Sequence, residues 1–146
     1  MNDYIYLICP FVTLVICQII KFITETITTK TINIARLFNG SGGMPSSHTS
    51  FSASLMTLIG LRLGFDSVLF AITLIFTFII SYDAMGVRWE SGEQAKAINS
   101  IYKDLLVAKP KEGFQILKER LGHQPIEVFG GMILGILVGL IFNLYL

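Results

Sequence analysis

Two histidines, His48 and His123, are the residues of this sequence best suited to acid–base or nucleophilic chemistry. They are the only histidines among the 146 residues, and each lies at the polar start of an apolar segment. Imidazole changes its charge near neutral pH, so a histidine can act there as an acid, a base or a nucleophile. We interpret the pair as a candidate active site.

His48 ends a glycine-rich stretch that is typical of an anion-binding turn. Residues 40–48 read Gly-Ser-Gly-Gly-Met-Pro-Ser-Ser-His. The free N–H groups and the positive dipole end at the start of a helix attract anions such as phosphate. Ser46 and Ser47 can donate to phosphate oxygens, or they can simply cap the helix. A cap does not need an imidazole, whereas a leaving alkoxide needs a proton donor, so His48 favours the chemical interpretation.

His123 is followed four residues later by Glu127, and Pro125 fits the first turn of a helix there. A carboxylate at this spacing can bind one ring nitrogen, fix the tautomer and leave the other nitrogen free to attack. The alternative interpretation is a surface histidine beside a helix start.

Asp83 and Arg88 follow the third apolar segment. The guanidinium group is a rigid fork of donors that matches phosphate. Taken alone, Arg88 would be an ordinary basic residue flanking a membrane helix. Beside two histidines and a glycine-rich turn, Arg88 and Asp83 become candidates for substrate binding.

The composition is that of an integral membrane protein. Hydrophobic residues make up 53% of the chain and charged residues 14%, whereas about a quarter of a soluble domain is charged. The sequence has four apolar segments that are long enough, or nearly long enough, to span a bilayer. They are Tyr4–Ile20, His48–Leu61, Ser67–Tyr82 and Ile126–Leu146. We therefore predict one all-α domain over residues 1–146, a polytopic membrane helix bundle with about four transmembrane helices.

Two of these segments carry residues suited to close helix packing. The second is rich in serine and threonine, and the fourth has Gly131, Gly135 and Gly139 on one face. Small residues let membrane helices approach closely, and hydroxyl groups form hydrogen bonds across their interfaces. The same glycine face makes a homodimer compatible with the sequence.

Basic residues predict the orientation of the bundle. If all four segments cross, ten of the eleven basic residues lie in the two loops on one side, and only Arg62 lies on the other. The positive-inside rule assigns that side to the cytoplasm. His48, Asp83, Arg88 and His123 lie on the same side, so we predict a site at the cytoplasmic face of a bacterial plasma membrane.

The long loop before the fourth segment is predicted to contain helices at the membrane interface. Apolar residues recur at helical spacing from Gly92 to Ala108, and a shorter helix is indicated through Phe114 and Leu117 to Gly122. Such helices could cover the site, or they could be solvated connections.

Three ordered motifs resemble a known family. Pro45-Ser46-Ser47-His48 is similar to the Pro-Ser-Gly-His signature of the phosphatidic acid phosphatase type 2 and vanadium haloperoxidase superfamily. Together with residues 83–88 and 121–128, it resembles the small, divergent branch of that superfamily. The resemblance extends over about residues 10 to 146 and implies a membrane-embedded phosphatase-like domain.

The resemblance implies a role for each matching residue. His123 corresponds to the nucleophile that forms a phosphohistidine, and Glu127 stands where the family has an Asp that orients it. His48 corresponds to the general acid, and Ser46 and Ser47 to phosphate-binding residues.

The basic residues depart from the family pattern. The first signature, a Lys followed by Arg-Pro, has no full counterpart, and Lys21, Lys30 and Arg36 are its nearest substitutes. The third signature of the family contains a Ser-Arg pair six residues before the nucleophile. That position is Leu117 in this sequence, and the pair is absent.

Arg88 or Arg120 could replace the missing arginine. The family also has six helices and a site outside the cytoplasm, which differs from the four helices and cytoplasmic site predicted here.

Partners and cofactors follow from the same observations. The net charge of +1 argues against a nucleic-acid partner, and two histidines without clustered carboxylates or thiols do not make a metal site. We expect no cofactor, and as partners a lipid phosphate substrate and the membrane lipids. The predicted function is hydrolysis of a lipid phosphate monoester. The alternative is a catalytically inactive relative that binds anionic lipid head groups or scaffolds a membrane partner.

Overall fold

The computed structural model describes residues 3–30, 43–106, 116–117 and 122–145, and this part of the chain folds into helices without a β-strand. The helices are α1 (Ile5–Thr29), α2 (Ser47–Leu63), α3 (Val68–Met85), α4 (Val87–Leu106) and α5 (Pro125–Tyr145). Four of them correspond to the four apolar segments of the sequence, but α1 continues to Thr29, nine residues beyond the predicted end at Ile20, so Lys21 lies in the helix and not in a loop. The prediction of an all-α membrane helix bundle is confirmed.

Within the described residues, three stretches are long and apolar enough to cross a membrane. They are α1, the nearly continuous run of α3 and α4 from Val68 to Tyr102, and α5. The 17 residues of α2 extend about 26 Å at 1.5 Å per residue, less than the roughly 30 Å of a bilayer core. A fourth span formed by α2 therefore stays a prediction.

Helix α2 is the centre of the bundle and packs against α1, α3 and α5. Its buried residues are mostly serines, threonines and other small residues. Several hydroxyls donate to carbonyls of the same helix, as Ser54 does to Phe51 at 2.9 Å and Thr57 to Ala53 at 2.8 Å. Because its polar groups are satisfied internally, a helix of this composition can lie inside an apolar bundle.

Glycines on α5 allow it to pack closely against α2. A Cβ atom at Gly135 would lie 2.5 Å from the carbonyl oxygen of Ser50, and one at Gly131 would lie 2.6 Å from that of Ser46. The predicted role of the glycine face in helix packing is confirmed. Because the face is occupied within the chain, it no longer supports a homodimer.

Helix α4 corresponds to the first helix predicted in the long loop, and it begins at Val87 instead of Gly92. On its buried face, the Asn99 side chain donates to the Leu117 carbonyl at 2.9 Å and accepts from the Leu117 N–H at 3.0 Å. Ile116 and Leu117 are not helical. The other residues of the shorter predicted helix, apart from Gly122, lie outside the described part of the chain.

Candidate active site

Four parts of the chain meet at one end of the bundle. The N–H of Ser46, before α2, donates to the carbonyl of Glu127 in α5 at 2.8 Å, and the N–H of His123 donates to the carbonyl of Ala84 in α3 at 2.9 Å. The Nζ atom of Lys21 in α1 lies 3.4 Å from Oγ of Ser47. Motifs that are far apart in the sequence are therefore adjacent in the fold.

His123 is the buried imidazole of this site, with 3% of its surface exposed. Its Nδ1 atom lies 2.8 Å from Oε2 of Glu127, and the same oxygen accepts the N–H of Gln124 at 3.0 Å. A carboxylate can only accept, so Nδ1 carries the proton, and Nε2 of the neutral ring keeps a lone pair. This is the contact expected from the spacing of four residues.

Ser46 connects the start of α2 to α5. Its Oγ atom accepts from the N–H of Thr49 at 3.5 Å and from the Thr49 hydroxyl at 3.1 Å. The N–H of Ser46 donates to the carbonyl of Glu127, and the side chain of Ser46 is fully buried. The arrangement is that of a helix cap, and Ser46 fixes the position of the turn that precedes Ser47 and His48.

Lys21 is a buried cation beside the start of α2. Only 5% of its surface is exposed, and its ammonium group reaches the hydroxyl of Ser47. A buried charge is costly unless polar or charged groups compensate it. The Ser47 hydroxyl is one such polar group. The ammonium group of Lys21 adds positive charge at the point where the N-terminus of α2 already favours an anion.

Helices α2 and α5 both begin at this end and run in the same direction. The hydrogen bond from Ser46 to Glu127 joins their first turns. Each helix carries a partial positive charge at its N-terminus, and anions are favoured near such a charge. The start of α5 already holds the carboxylate of Glu127, so the start of α2 and Lys21 are the groups at this end of the described bundle that favour a phosphate.

His48, the second residue of α2, is more exposed than His123. It lies on the side that faces α1 and α3, where it borders a groove together with Ile80. His123 is held at Ala84, one turn further along α3. The two histidines thus adjoin successive turns at the same end of α3.

The remaining predicted site residues differ in position. Asp83 lies near the end of α3 and borders an outer cavity with Phe78, Ile79 and Tyr82. Arg88 is the second residue of α4, and its side chain lies outside the described part of the structure, as do Arg36 and Arg120.

Ser81 is a buried polar residue that the sequence analysis did not single out. Its Oγ atom has no hydrogen-bond partner among the described residues, and it lies three residues before Ala84 on the buried face of α3. The signal was present in the spacing of Thr77, Ser81 and Ala84, which places three small residues on one face of a helix.

These motifs match a family in sequence comparisons. A family model described as "Divergent PAP2 family" matches residues 2–138. The chain belongs to the divergent PAP2 family. A relative from Bacillus subtilis (strain 168), the uncharacterized membrane protein YuiD, is 40% identical over 145 residues, which cover 92% of this chain and 91% of the relative. No solved structure matches the chain.

Membership of the divergent PAP2 family confirms the resemblance found in the motifs and agrees with an integral membrane protein. The structure also gives a physical reason for one departure from the family signature. Where Pro-Ser-Gly-His has glycine, this divergent PAP2 protein has Ser47, whose hydroxyl contacts Lys21. The extra hydroxyl provides a polar partner for the buried ammonium group.

Proposed function

We propose that this divergent PAP2 protein hydrolyses a lipid phosphate monoester at the cytoplasmic face of the membrane through a phosphohistidine intermediate. The observation that carries the proposal is the contact of 2.8 Å between Nδ1 of His123 and Glu127. It leaves Nε2 as the nucleophilic atom, at the end of the bundle where the start of α2 and Lys21 favour an anion.

The first step transfers the phosphoryl group to the protein. The Nε2 lone pair of His123 attacks phosphorus, and the bond between phosphorus and the lipid oxygen breaks. His48 donates a proton to the leaving alkoxide, which departs as a lipid alcohol. Glu127 stabilises the positive charge that develops on the imidazole ring of His123.

Positive groups stabilise the charge on the phosphoryl oxygens during this transfer. At the start of α2, Lys21 supplies a positive charge and the Ser47 hydroxyl supplies a hydrogen-bond donor. The arginine that the family places in this role would be supplied by Arg88, Arg120 or Arg36. Asp83 would help to position one of these basic side chains.

The second step releases the phosphate. A water molecule attacks phosphorus of the phosphohistidine, and the bond to Nε2 of His123 breaks. His48, now neutral, accepts a proton from the attacking water. Inorganic phosphate leaves, and both histidines return to their starting protonation states.

A catalytically inactive protein that binds anionic lipid head groups, or scaffolds a membrane partner, is the second candidate. The observation in its favour is the replacement of the family's arginine by Leu117, whose backbone is bound to Asn99. An anion could still be held by Lys21 and the start of α2 without any transfer of the phosphoryl group.

Phosphate release from a panel of lipid phosphates separates the two candidates. Purified protein in detergent is compared with His123→Ala and His48→Ala, and Gln124→Ala serves as an exposed control beside the site. We expect the wild type and the control to release phosphate and to form an acid-labile phosphoprotein that His123→Ala does not form. Binding of lipid phosphate without release by the folded wild type would favour the second candidate.

A further inference from the structure

A groove of about 310 Å³ lies between α1, α2 and α3. Ser47 and His48, at the start of α2, line one end of the groove. Its walls extend away from this end along α3, from Ile80 through Thr77 to Thr73. These residues cover about two turns of helix, or roughly 10 Å of depth into the bundle.

The hydroxyl groups along the groove are already used by the helices that carry them. Thr73 donates to the carbonyl of Leu69 at 2.9 Å, Thr77 donates to Thr73 at 2.8 Å, and Ser52 donates to His48 at 3.1 Å. A hydroxyl that donates to its own helix offers mainly its carbon atoms to the space beside it. Together with the side chains of Leu14, Phe51, Leu55 and Phe76, they make the walls apolar below His48.

The groove borders the surface that faces the lipids. Phe76, on its wall, is 59% exposed, and Ile72 and Ile79 on the outer face of α3 are also exposed. Helices α1 and α3 both belong to candidate membrane spans. A hydrocarbon chain could therefore pass from the bilayer into the groove without crossing water.

We propose that this groove binds the hydrocarbon chain of a single-chain lipid phosphate, with the phosphate held at Ser47 and His48. The assignment of a phosphate head group rests on the proposed function. The volume of the groove is at the lower end of the roughly 300–1,000 Å³ typical of small-molecule sites. It is enough for one chain of about ten methylene groups, if each is taken as similar in volume to a water molecule. A lipid with two chains would leave its second chain outside.

Photo-crosslinking tests the site independently of catalysis. The probe is dodecyl phosphate with a diazirine near the end of its chain, added to the whole protein in nanodiscs. Two variants fill the groove, Thr77→Phe from α3 and Leu55→Trp from α2. The control is Ile79→Phe, which adds a phenyl ring to the outer face of α3. We expect labelling of groove residues in the wild type and in Ile79→Phe, and a loss of about tenfold in both filled variants.

Competition and hydrolysis complete the test. Unlabelled dodecyl phosphate should compete for labelling at least about tenfold better than dioleoyl phosphatidate. The filled variants should lose hydrolysis of the lipid but keep hydrolysis of the water-soluble p-nitrophenyl phosphate. Specific labelling without any hydrolysis by the wild type would support the groove while removing the proposed function. Labelling spread evenly over the lipid-facing residues, or unchanged in both filled variants, would overturn the groove proposal.

Discussion

Glu127 contacts both His123 and the turn that carries Ser46. Its Oε2 atom lies 2.8 Å from Nδ1 of His123, and its carbonyl oxygen accepts the N–H of Ser46 at 2.8 Å. One residue thus sets the position of the proposed nucleophile relative to the proposed phosphate site.

The first prediction concerns the charge of Glu127. Glu127→Gln keeps the size of the side chain and can still accept from Nδ1, but it cannot neutralise the imidazolium. We expect the rate of lipid phosphate hydrolysis to fall by about 10²–10⁴-fold, and Glu127→Asp to retain part of the activity. Steady-state kinetics with the preferred lipid phosphate measure the change.

A matched control for this prediction is Glu93→Gln. Glu93 forms an exposed ion pair with Lys96 at 2.6 Å on α4, and such pairs contribute little to stability. This variant should hydrolyse the lipid at the rate of the wild type. Equal rates for the wild type and Glu127→Gln would exclude the charge of Glu127 from the mechanism.

The second prediction concerns Lys21. Lys21→Met keeps the length of the side chain and removes its charge from the start of α2. A hydrogen bond to a charged group contributes about 1.5–3 kcal/mol, so we expect the affinity for inorganic phosphate to fall by about 10- to 100-fold. Inhibition of hydrolysis by phosphate measures this affinity, and Lys96→Met is the control at an exposed position.

The third prediction concerns the contact between α2 and α5. Gly135→Ala would place a Cβ atom 2.5 Å from the backbone oxygen of Ser50, whereas Gly130→Ala meets the end of the flexible Met44 side chain at 2.9 Å. We expect Gly135→Ala to lower the free energy of unfolding by about 1–3 kcal/mol and Gly130→Ala to lower it less. Thermal unfolding in detergent compares them, and equal midpoints would contradict the close packing.

The fourth prediction concerns orientation. Asp66 precedes α3 and Glu93 lies in α4, beyond the other end of α3, and both residues are exposed. If the site faces the cytoplasm, a membrane-impermeant maleimide should label Asp66→Cys in intact cells and Glu93→Cys only after the membrane is opened. The natural Cys9 and Cys17 are buried, which keeps the background low. The reverse pattern would place the site outside.

The local part of the site could be predicted from the sequence. His123 lies two residues before the start of α5 and Glu127 lies in the first turn of that helix, so a helix start at Pro125 is enough to bring their side chains close together. The glycine face of α5 was also predictable, because residues four apart share one side of a helix.

Contacts between distant segments could not be predicted in the same way. The contact of Lys21 with Ser47 depends on how α1 packs against α2, and the bond from Ser46 to Glu127 depends on the parallel alignment of α2 and α5. Neither arrangement leaves a periodic signal in the sequence. The beginning of α4 at Val87 was missed because its first turn lacks the apolar spacing on which the prediction relied.

The composition of α2 has a consequence for how the protein is made. Its serines and threonines make it a poor candidate for independent insertion into lipid, and the glycine face that covers it belongs to α5, which follows the other described helices in the chain. Until α5 has been synthesised, only α1 and α3 are available to pack against α2. The bundle is therefore complete only after α5 has been synthesised, and the proposed catalytic motifs can come together only then.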